Sequence, residues 1–387
     1  MKIYLLIQAR SSSSRLPFKS LLKIKNYFSI ELLYKRVKSK NYNTLVLTST
    51  DKSDEYLSYI MKKKNIPFYR GDLLNVRNRF LKFKKNLKPD DILIRLTGDN
   101  IFVDKNIIKK LLDKIIKEKK EYVFVGNKFL NIPYGISAEA FKFSSLNEKK
   151  SFNEKDKEHV TYSFKKNPDN ITKVNENDSW KKLNCSIDYL KDFQIVNNVF
   201  KKIKNPTKIE WNKLCNLLIK HSQYKQNIKA DKINLVSLKS KDLSPQYIKK
   251  ILKLKQQQWN YSFKSQHDHF LKEYNKDDIN NMIFYRKKLI GYTILRSKKI
   301  KFNSTNKFIL LLDTIIIDIF FRKKNFGEIL MCFNNNEILK SNKTAILQCK
   351  NNHVMFYKKN FWVKNNFSKI NFNQKNKELN LMLFNKS

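Results

Sequence analysis

A short basic segment follows the first apolar run of the chain and has the residue types that bind phosphate. It reads R-S-S-S-S-R-L-P-F-K over residues 10–19, with three cations around a run of hydroxyl groups. Guanidinium groups and backbone N–H groups of such a turn both bind phosphate oxygens. A solvated basic loop is the alternative in a lysine-rich chain, but the position directly after a strand favours a triphosphate site. The candidate nucleotide-binding residues are Arg10, Ser12, Ser13, Arg15 and Lys19.

Two carboxylates are candidates for a Mg²⁺ site near that loop. Asp99 follows an apolar run at 92–96, and Gly98 beside it would let the backbone approach a ligand closely. Asp188 follows a short predicted strand at 183–187, and an ordinary turn residue is an equal interpretation. Mg²⁺ takes one or two carboxylates together with phosphate oxygens. Arg70, in R-G-D at the end of another predicted strand, is a further candidate for nucleotide binding.

Strand and helix patterns alternate through the first third of the chain and predict the scaffold for these side chains. Apolar runs of strand length lie at 3–9, 44–48, 66–69, 92–96 and 122–125. Between them, apolar residues recur at helical spacing after Ser29 and after Asp104, each of which is a predicted N-cap. Such an alternation indicates βαβ units, so we expect a doubly wound, mostly parallel sheet with helices on both faces.

A second α/β stretch runs from about residue 235 to the end. Apolar runs at 282–285, 289–295, 308–319 and 344–347 predict antiparallel strands, with helices before and between them. The polar segment 223–231 has little periodicity and predicts a linker. Since single cores rarely grow beyond ~300 residues, we expect a first domain over 1–222, a linker over 223–234 and a second, mixed α/β domain over 235–387.

The net charge is the unusual feature of the composition. Eighty Lys and Arg residues against 34 Asp and Glu give a formal charge of +46. Alone, this charge indicates a nucleic-acid or membrane-surface binder. Glycine and proline are scarce, however, while residues with AT-rich codons are abundant, and the lysines spread along the chain without forming a tail. We therefore favour compositional bias and expect no specific nucleic-acid partner.

The cysteines and the apolar runs bear on the cellular compartment. Cys185, Cys215, Cys332 and Cys349 are widely separated, which argues against a zinc site or a disulfide framework and suits a reducing cytoplasm. No apolar stretch approaches the ~18 residues of a membrane span. The apolar run at the N-terminus is too short for a signal peptide. We expect a cytoplasmic protein without a membrane span.

The motifs of the first 200 residues resemble the CMP-sugar synthetases, most closely the spore-coat-polysaccharide branch of the acylneuraminate cytidylyltransferases. The matching segments occur in order along the chain, which makes the resemblance more specific than one short motif. They are I-Q-A-R-S-S-S-S-R-L-P-F-K-S-L-L at 7–22, F-Y-R-G-D at 68–72, I-R-L-T-G-D-N at 94–100, I-P-Y-G-I-S-A-E-A-F at 132–141, E-H-V-T at 158–161 and N-C-S-I-D at 184–188.

This resemblance implies transfer of CMP from CTP to a sialic-like acid or related sugar, with release of pyrophosphate. It implies that Arg10, Arg15 and Lys19 hold the triphosphate, with Arg15 and Lys19 acting in catalysis, and that Asp99 and Asp188 carry Mg²⁺. Two residues depart from the family pattern, because serine and phenylalanine stand at 12 and 18, where glycines are usual. We expect the serine not to adopt a positive φ cheaply and the phenylalanine to add bulk beside the phosphates.

The segment F-R-K-K-N-F-G-E-I-L-M at 321–331 follows a predicted strand and resembles the pyrophosphate-binding turn of the GCN5-related N-acetyltransferases. The resemblance implies that Arg322, Asn325 and Gly327 bind coenzyme A, with acetyl-CoA or another acyl-CoA as substrate. The segment 352–361 resembles the ending of that family and implies Tyr357 as the proton donor to the thiolate, with Phe356 as the alternative occupant of that position. Asp313 or Asp318 would be the base. A silent domain with Tyr357 in its core is the alternative.

These observations together predict a bifunctional enzyme of surface-polysaccharide biosynthesis. One domain would transfer CMP to a sugar, and the other would acylate an amino sugar. The expected partners are small molecules, namely CTP, a sugar and an acyl-CoA, and a homodimer is left open. One alternative is a nucleotide-sugar glycosyltransferase, which the absence of a D-x-D motif near Asp99 disfavours. The other is a basic nucleic-acid or membrane-surface protein with silent domains.

Overall fold

The computed structural model describes residues 1–147, 154–222, 231–302, 305–364 and 379–384. Contacts divide the chain into two compact units, Met1–Ala230 and Asp231–Ser387, called unit 1 and unit 2 below. Most of the predicted linker, residues 223–230, lies outside the described residues.

Unit 1 alternates strands and helices along the described chain. Its strands are β1 (Ile3–Gln8), β2 (Lys23–Ile24), β3 (Tyr27–Phe28), β4 (Asn43–Ser49), β5 (Phe68–Gly71), β6 (Ile92–Thr97), β7 (Tyr122–Val125) and β8 (Ala138–Lys142). Its helices are α1 (Ser29–Val37), α2 (Glu55–Lys63), α3 (Val76–Lys82), α4 (Lys105–Lys117), α5 (Ser144–Asn147), α6 (Glu154–His159), α7 (Leu190–Lys201) and α8 (Trp211–Ser222).

A six-stranded sheet organises unit 1, with the described strands in the order β5-β4-β1-β6-β8-β7. β5, β4, β1 and β6 run parallel, whereas β8 runs antiparallel to β6 and β7 antiparallel to β8. Gln8 at the end of β1 pairs with Thr97 of β6 and with Leu47 of β4. The carboxyl ends of the central strands therefore lie side by side, which is where ligands bind in parallel sheets.

Both faces of this sheet are covered. Tyr4 and Leu6 of β1 belong to one buried cluster with Phe80 of α3. Leu5 and Ile7 point to the opposite face, because side chains alternate along a strand, and both are completely buried. The prediction of a mostly parallel sheet with both faces covered is therefore confirmed for unit 1, although β2, β3 and β8 were not predicted.

The two predicted helix caps have different outcomes. Asp104 accepts hydrogen bonds from the backbone N–H groups of Asn106 and Ile107, at 3.0 and 3.3 Å, and caps α4 as predicted. The prediction for Ser29 was wrong, because Ser29 is the first residue of α1. Its hydroxyl donates to the carbonyls of Lys19 and Leu22, at 3.0 and 2.6 Å. Ser29 thus joins the start of α1 to the end of the basic loop.

A buried carboxylate, Asp54, links the basic loop to the end of β4. One of its oxygens accepts the backbone N–H of Ser11 at 2.6 Å. The other accepts the hydroxyl of Thr48 at 2.9 Å and the backbone N–H of Ser49 at 3.1 Å, together with the Ser49 hydroxyl. These hydrogen bonds join the loop to the end of β4, so Asp54 holds the first residues of the loop against the sheet.

Unit 2 contains seven described strands and four helices. The strands are β9 (Ile233–Lys239), β10 (Ile279–Tyr285), β11 (Lys288–Phe302), β12 (Thr305–Ile317), β13 (Ala345–Cys349), β14 (Trp362–Lys364) and β15 (Asn380–Phe384). The helices are α9 (Pro245–Gln256), α10 (Phe263–Lys272), α11 (Phe326–Ser341) and α12 (Val354–Lys358).

The sheet of unit 2 has the order β14-β15-β13-β12-β11-β10-β9 and is mostly antiparallel. The exception is the pair β12 and β13, which runs parallel across Leu310 and Ala345. All strands of this region were predicted to be antiparallel, so the prediction was wrong for this pair. The reason is α11, which returns the chain between them as a crossover that a parallel pair requires.

The pairing of β11 with β12 contains a bulge at Asp313. Ile294 pairs with Thr314, and the next residue, Leu295, pairs with Leu312. Asp313 is therefore the extra residue, and its carboxylate accepts a hydrogen bond from Nε of Arg296 at 2.8 Å. Bulges re-aim side chains and are frequent next to functional sites.

The linkage through Asp54 predicts a large loss of stability in the Asp54→Asn variant. An asparagine can present its oxygen to Ser11 or to Ser49, so one backbone N–H must face the amide NH₂ group. We expect unit 1 to lose about 2–3 kcal/mol of unfolding free energy, measured as faster hydrogen exchange of β1 and β4 amides in urea.

Asp51→Asn is the matched control for this variant. Asp51 is exposed and caps one turn by accepting the Ser53 N–H, and asparagine caps equally well. Equal exchange rates for the two variants would contradict the role assigned to Asp54.

Candidate functional site

The basic loop after β1 is folded back on itself. The carbonyl of Ser11 accepts the N–H groups of Ser13 and Phe18, both at 2.9 Å. Together with the bond from the Ser11 N–H to Asp54, this closes the loop at the carboxyl end of β1. The chain then delivers the cations of Arg15 and Lys19 to the same side of the sheet.

The two departures from the glycine pattern have different structural meanings. Phe18 has a φ of 57°, in the left-handed region that favours glycine. Its side chain is buried and does not belong to the lining of the cavity described below. Ser12 is exposed and is not among the residues with positive φ. A serine therefore costs no backbone strain at position 12.

Lys19 joins the two predicted metal ligands. Its Nζ lies 2.6 Å from the Asp99 carboxylate and 3.2 Å from the Asp188 carboxylate. The Arg15 guanidinium contacts the same oxygen of Asp188 at 2.7 Å and lies over the ring of Tyr189. The structure thus brings together four of the predicted site residues, with two cations and two anions in one cluster.

The Asp99 carboxyl has a perturbed pKa. Burial disfavours its charged form, but the Lys19 ammonium and the hydrogen bonds from Lys19 and Thr97 outweigh burial, so the pKa of Asp99 is lowered. Asp99 is therefore a carboxylate at neutral pH. This is the protonation state that a metal ion or an ammonium group requires.

Asp188 reaches this cluster through a close approach at Gly135. The predicted strand 183–187 forms one isolated bridge, between Tyr134 and Asn184, instead of a strand. Gly135 has a φ of 100°, and a Cβ there would lie 2.4 Å from the backbone N of Ser186. The N–H of Ile187 donates to the carbonyl of Asp99 at 3.2 Å. These contacts fix the segment that carries Asp188 beside the turn that carries Asp99.

A cavity of about 170 Å³ opens beside the cluster at the carboxyl ends of β1 and β6. It includes Arg10, Ser13, Arg15, Lys19, Gly98 and Asp99 among the predicted residues. The full lining is Gln8, Ala9, Arg10, Ser13, Ser14, Arg15, Lys19, Ser20, Val76, Arg79, Thr97, Gly98, Asp99 and Glu158.

Two predicted nucleotide-binding residues lie outside the cavity lining, and a third has a packing role. Arg70 is not in the cavity lining, and its guanidinium contacts Glu55 at 2.9 Å and the Ser49 carbonyl at 2.8 Å. Ser12 is also absent from the lining. Gly98 lines the cavity, but its N–H donates to the Gln8 carbonyl at 2.8 Å and a Cβ would lie 3.1 Å from Ala9. The glycine is therefore explained by close packing against β1.

Arg79 of α3 lines the cavity and was missed from the sequence. Val76 and Phe80 are the buried apolar residues of this short helix. Position 79 is three residues after Val76, so it lies on the same apolar face. A charged residue on that face is the signal that could have identified it, because arginine is rarely buried without a partner.

The Asp99 and Asp188 pair fits a Mg²⁺ ion. The two carboxylates already share one cation, the Lys19 ammonium, and Mg²⁺ binds through one or two carboxylates plus phosphate oxygens. The described part of the chain has no group of three or more His, Cys, Asp and Glu side chains suited to a metal. Phosphate oxygens and water would therefore complete the coordination.

In unit 2 the predicted coenzyme A turn has the expected backbone geometry. Asn325 precedes α11 with a φ of 69°, so it takes the left-handed conformation that favours glycine. Its side chain does not cap the helix. A Cβ at Gly327 would have a ring carbon of Phe356 at 3.9 Å as its nearest neighbour. A side chain of one carbon at position 327 would therefore find open space.

Arg322 of this turn is engaged with neighbouring groups. Its Nε donates to the Ile317 carbonyl at 3.1 Å, and its Nη2 donates to Gln258 at 2.8 Å. These two hydrogen bonds of Arg322 therefore stabilise the turn.

Tyr357 is buried beside Trp362 and Phe356. Burial, with a smaller contribution from Cys349, raises the pKa of its hydroxyl. Phe356 is the neighbour that faces Gly327, so an aromatic ring without a hydroxyl stands next to the start of α11. The position of Tyr357 does not support its predicted role as proton donor, because a proton donor must reach the departing group.

Unit 2 has a cavity of about 410 Å³, and its lining includes Asp313, the residue at the β-bulge. Aromatic and polar residues share its wall with that carboxylate. The lining residues are Lys255, Trp259, Tyr261, Ser265, Gln266, His269, Asp313 and Thr314. Asp318, the other predicted base, is buried and caps a turn by accepting the Phe320 N–H.

The family model described as Cytidylyltransferase matches residues 4–268. The chain belongs to the cytidylyltransferase family. The match includes the basic loop, both carboxylates and Arg79, and it therefore covers the whole site of unit 1.

Three related proteins extend this comparison. An uncharacterised protein of Methanocaldococcus jannaschii is 34% identical over 205 residues, which is 50% of this chain and 82% of the relative. The spore coat polysaccharide biosynthesis protein SpsF of Bacillus subtilis is 30% identical over 175 residues, 43% of this chain and 71% of the relative. The solved structure of a cytidylyltransferase from Leptospira borgpetersenii has 26% identity and a TM-score of 0.53, and covers 59% of this chain and 98% of its own.

Across the described ranges, no helix of this family member combines the length and the apolar character that crossing a bilayer requires.

The close approach at Gly135 predicts that Gly135→Ala destabilises unit 1. The added Cβ would force the Ser186 backbone to move and would disfavour the positive φ, for a loss of about 2–4 kcal/mol. The stabilisation of the chain by CTP with Mg²⁺ should also decrease, because Asp188 moves. Thermal unfolding with and without these ligands measures both effects.

Gly126→Ala is the control, because a Cβ there would meet nothing closer than 3.7 Å. It should leave the unfolding temperature unchanged or raise it slightly, because an alanine at an unstrained position restricts the unfolded chain. A Gly135→Ala variant as stable as this control would contradict the packing argument.

Proposed function

We propose that unit 1 transfers CMP from CTP to a hydroxyl group of a sugar and releases pyrophosphate. The observation that carries this proposal is the cluster of Arg15 and Lys19 with Asp99 and Asp188 beside a cavity at the carboxyl edge of the sheet. Membership in the cytidylyltransferase family supports CTP as the substrate. The relative named for spore coat polysaccharide biosynthesis supports a surface-polysaccharide sugar, such as a sialic-like acid or a related sugar.

The reaction needs positioning and charge neutralisation more than covalent chemistry. The sugar hydroxyl oxygen bonds to the α-phosphorus of CTP, the bond from that phosphorus to the β-phosphate oxygen breaks, and the hydroxyl proton passes to water. Arg15 and Lys19 neutralise the charge on the phosphate oxygens. Asp99 and Asp188 hold Mg²⁺, which when bound supplies further neutralisation of that charge.

A second activity, acyl transfer from an acyl-CoA to an amino sugar, is the proposal for unit 2. Three observations favour it: the parallel β12–β13 pair, the left-handed Asn325 before α11, and the open space beside Gly327. Backbone N–H groups at the start of a helix bind pyrophosphate.

In that reaction the amine nitrogen bonds to the thioester carbonyl carbon and the carbon–sulfur bond breaks. Asp313, which lines the cavity of unit 2, accepts the proton of the amine. Because Tyr357 is buried, the thiolate takes its proton from water.

If unit 1 has the first activity, pyrophosphate should be released when the protein is incubated with CTP, Mg²⁺ and a panel of acidic sugars. We expect Asp99→Asn to lower the rate about 100-fold, because a neutral amide neither binds Mg²⁺ well nor balances Lys19. A coupled assay for pyrophosphate measures the rate.

Asp113→Asn is the matched control, since Asp113 is exposed on α4 and its variant should keep the full rate. The proposal for unit 1 would be contradicted if pyrophosphate release were undiminished in Asp99→Asn, or if no sugar led to pyrophosphate release.

The second activity predicts that the full chain binds coenzyme A, measured by calorimetry. Gly327→Glu should weaken binding at least tenfold, because a carboxylate would stand where the pyrophosphate binds. Gly327→Ala should bind like the original chain, since its Cβ finds open space.

Thiol release from acetyl-CoA with amino sugars then tests catalysis. Tyr357→Phe should keep the rate within twofold, because the hydroxyl is buried. Equal binding by the two Gly327 variants would refute the coenzyme A site, and a large loss in Tyr357→Phe would restore the tyrosine as proton donor.

A further inference from the structure

Arg79 is a buried guanidinium in the wall of the unit 1 cavity. Its side chain extends from α3, and the residue is 1% exposed. Gly71 of β5 makes room for it, because a Cβ at Gly71 would lie 2.8 Å from Cγ of Arg79. The site is therefore built around this arginine, which none of the sequence motifs identified.

The guanidinium has unused donors. Nη2 donates to the Leu73 carbonyl at 3.3 Å, but Nε and Nη1 are buried without a hydrogen-bond partner. No carboxylate forms an ion pair with Arg79 within the described part of the chain. Burial lowers the pKa of Arg79 to about 10, while Asp54 opposes that effect and Arg10 adds to it. An uncompensated buried charge is costly.

Arg36, another buried arginine of unit 1, shows what a structural role requires. Its guanidinium donates to the carbonyls of Pro206, Ile209 and Phe102 at 2.8–2.9 Å. Arg36 has three short hydrogen bonds and one nitrogen, Nε, without a partner, whereas Arg79 has one long hydrogen bond and two nitrogens without partners. The donors of Arg79 are therefore not explained by the fold.

The charges around the cavity indicate what Arg79 binds. The two cations of the loop, Arg15 and Lys19, are balanced by Asp188 and Asp99. Arg10 lies 3.9 Å from Glu158, and both side chains are substantially exposed, so this contact is weak. Arg79, which forms no ion pair within the described residues, and Arg10, whose ion pair is weak, thus carry the least balanced positive charge of the cavity. An anion in the cavity would balance this charge.

We propose that Arg79 binds a phosphate group of the nucleoside triphosphate. The proposal rests on the proposed function, since CTP is the anion that this reaction brings into the cavity. Phosphate oxygens accept several hydrogen bonds from one guanidinium, and such charge-assisted bonds are strong in a site shielded from water. Arg79 therefore adds a phosphate contact to those made by the loop after β1.

The test compares the binding of CTP, CMP and cytidine to the full chain by calorimetry. Arg79→Gln should weaken CTP binding at least tenfold, weaken CMP binding less and leave cytidine binding unchanged. Arg79→Lys should recover part of the affinity, because it keeps the charge. Lys82→Gln is the matched control, since it removes an exposed positive charge from the same helix and should change CTP binding by less than twofold.

Thermal unfolding without ligand separates this role from a structural one. If Arg79 serves a ligand, Arg79→Gln should unfold at the same temperature as the original chain or higher, because a costly buried charge has been removed. A clear loss of stability with unchanged CTP affinity would overturn the proposal, as would a loss of cytidine binding equal to that of CTP. An effect confined to the KM of an acidic sugar would also overturn it, because the anion would then be the sugar carboxylate.

Binding of inorganic triphosphate keeps this test independent of the proposed function. If the chain does not bind CTP, the cytidylyltransferase proposal fails. Weaker triphosphate binding in Arg79→Gln than in Lys82→Gln would still support a phosphate contact, and equal binding in the two variants would refute it.

Discussion

One ammonium group joins three segments of unit 1 that are far apart in the sequence. Lys19 contacts Asp99, 80 residues away, and Asp188, 169 residues away. Because the three side chains are largely shielded, their attraction is stronger than at the surface, and each carboxylate would be costly to bury alone. The loop after β1, the turn after β6 and the segment before α7 therefore hold one another in position. Any metal ion or phosphate that binds there must redistribute the same charges.

This constraint changes the meaning of the net charge of +46. The central cluster of the site is balanced, with two cations facing two carboxylates. Many lysines lie on exposed helix faces instead, as Lys105, Lys109 and Lys110 do on α4. Anion recognition depends on where positive charge is left unbalanced in a shielded cavity. The net charge of the chain does not show where that is. The compositional explanation for the lysines stays a prediction.

The sequence was informative where the signal is local. Alternating apolar runs predicted the strands of the parallel sheet, and Asp104 was recognised because its partners lie two and three residues away. It was less informative where a residue serves a distant partner. Ser29 resembles a helix cap, but its hydroxyl donates to Lys19 and Leu22. Asp54, whose partners include Ser11, was missed for the same reason.

The residues of the candidate site also divide into those with a local sequence signal and those without one. The positions of Arg15, Lys19 and Asp99 at strand ends could be predicted, because parallel strands deliver their carboxyl ends to one edge. The burial of Arg79 beside the cavity and the position of Asp188 near Asp99 depend on packing between segments that are distant in the sequence. No local pattern predicts such packing. A glycine beside a carboxylate suits ligand approach and strand packing equally well, so the packing role of Gly98 could not be predicted. The structure shows that role, since a Cβ at Gly98 would crowd Ala9.

Residues other than glycine take the left-handed conformation at several turns of this chain. Twelve described residues other than glycine have positive φ, among them Phe18 and Asn325, and Gly135 is the one described glycine that does. The left-handed conformation costs roughly 1–2 kcal/mol for an ordinary residue, so packing must offset it. Phe18 does so with a buried ring and with its N–H bound to the Ser11 carbonyl. At Gly135 no such compensation is available, because a Cβ would collide with backbone. At Gly135 steric approach therefore excludes a side chain, whereas at Phe18 a positive φ alone does not.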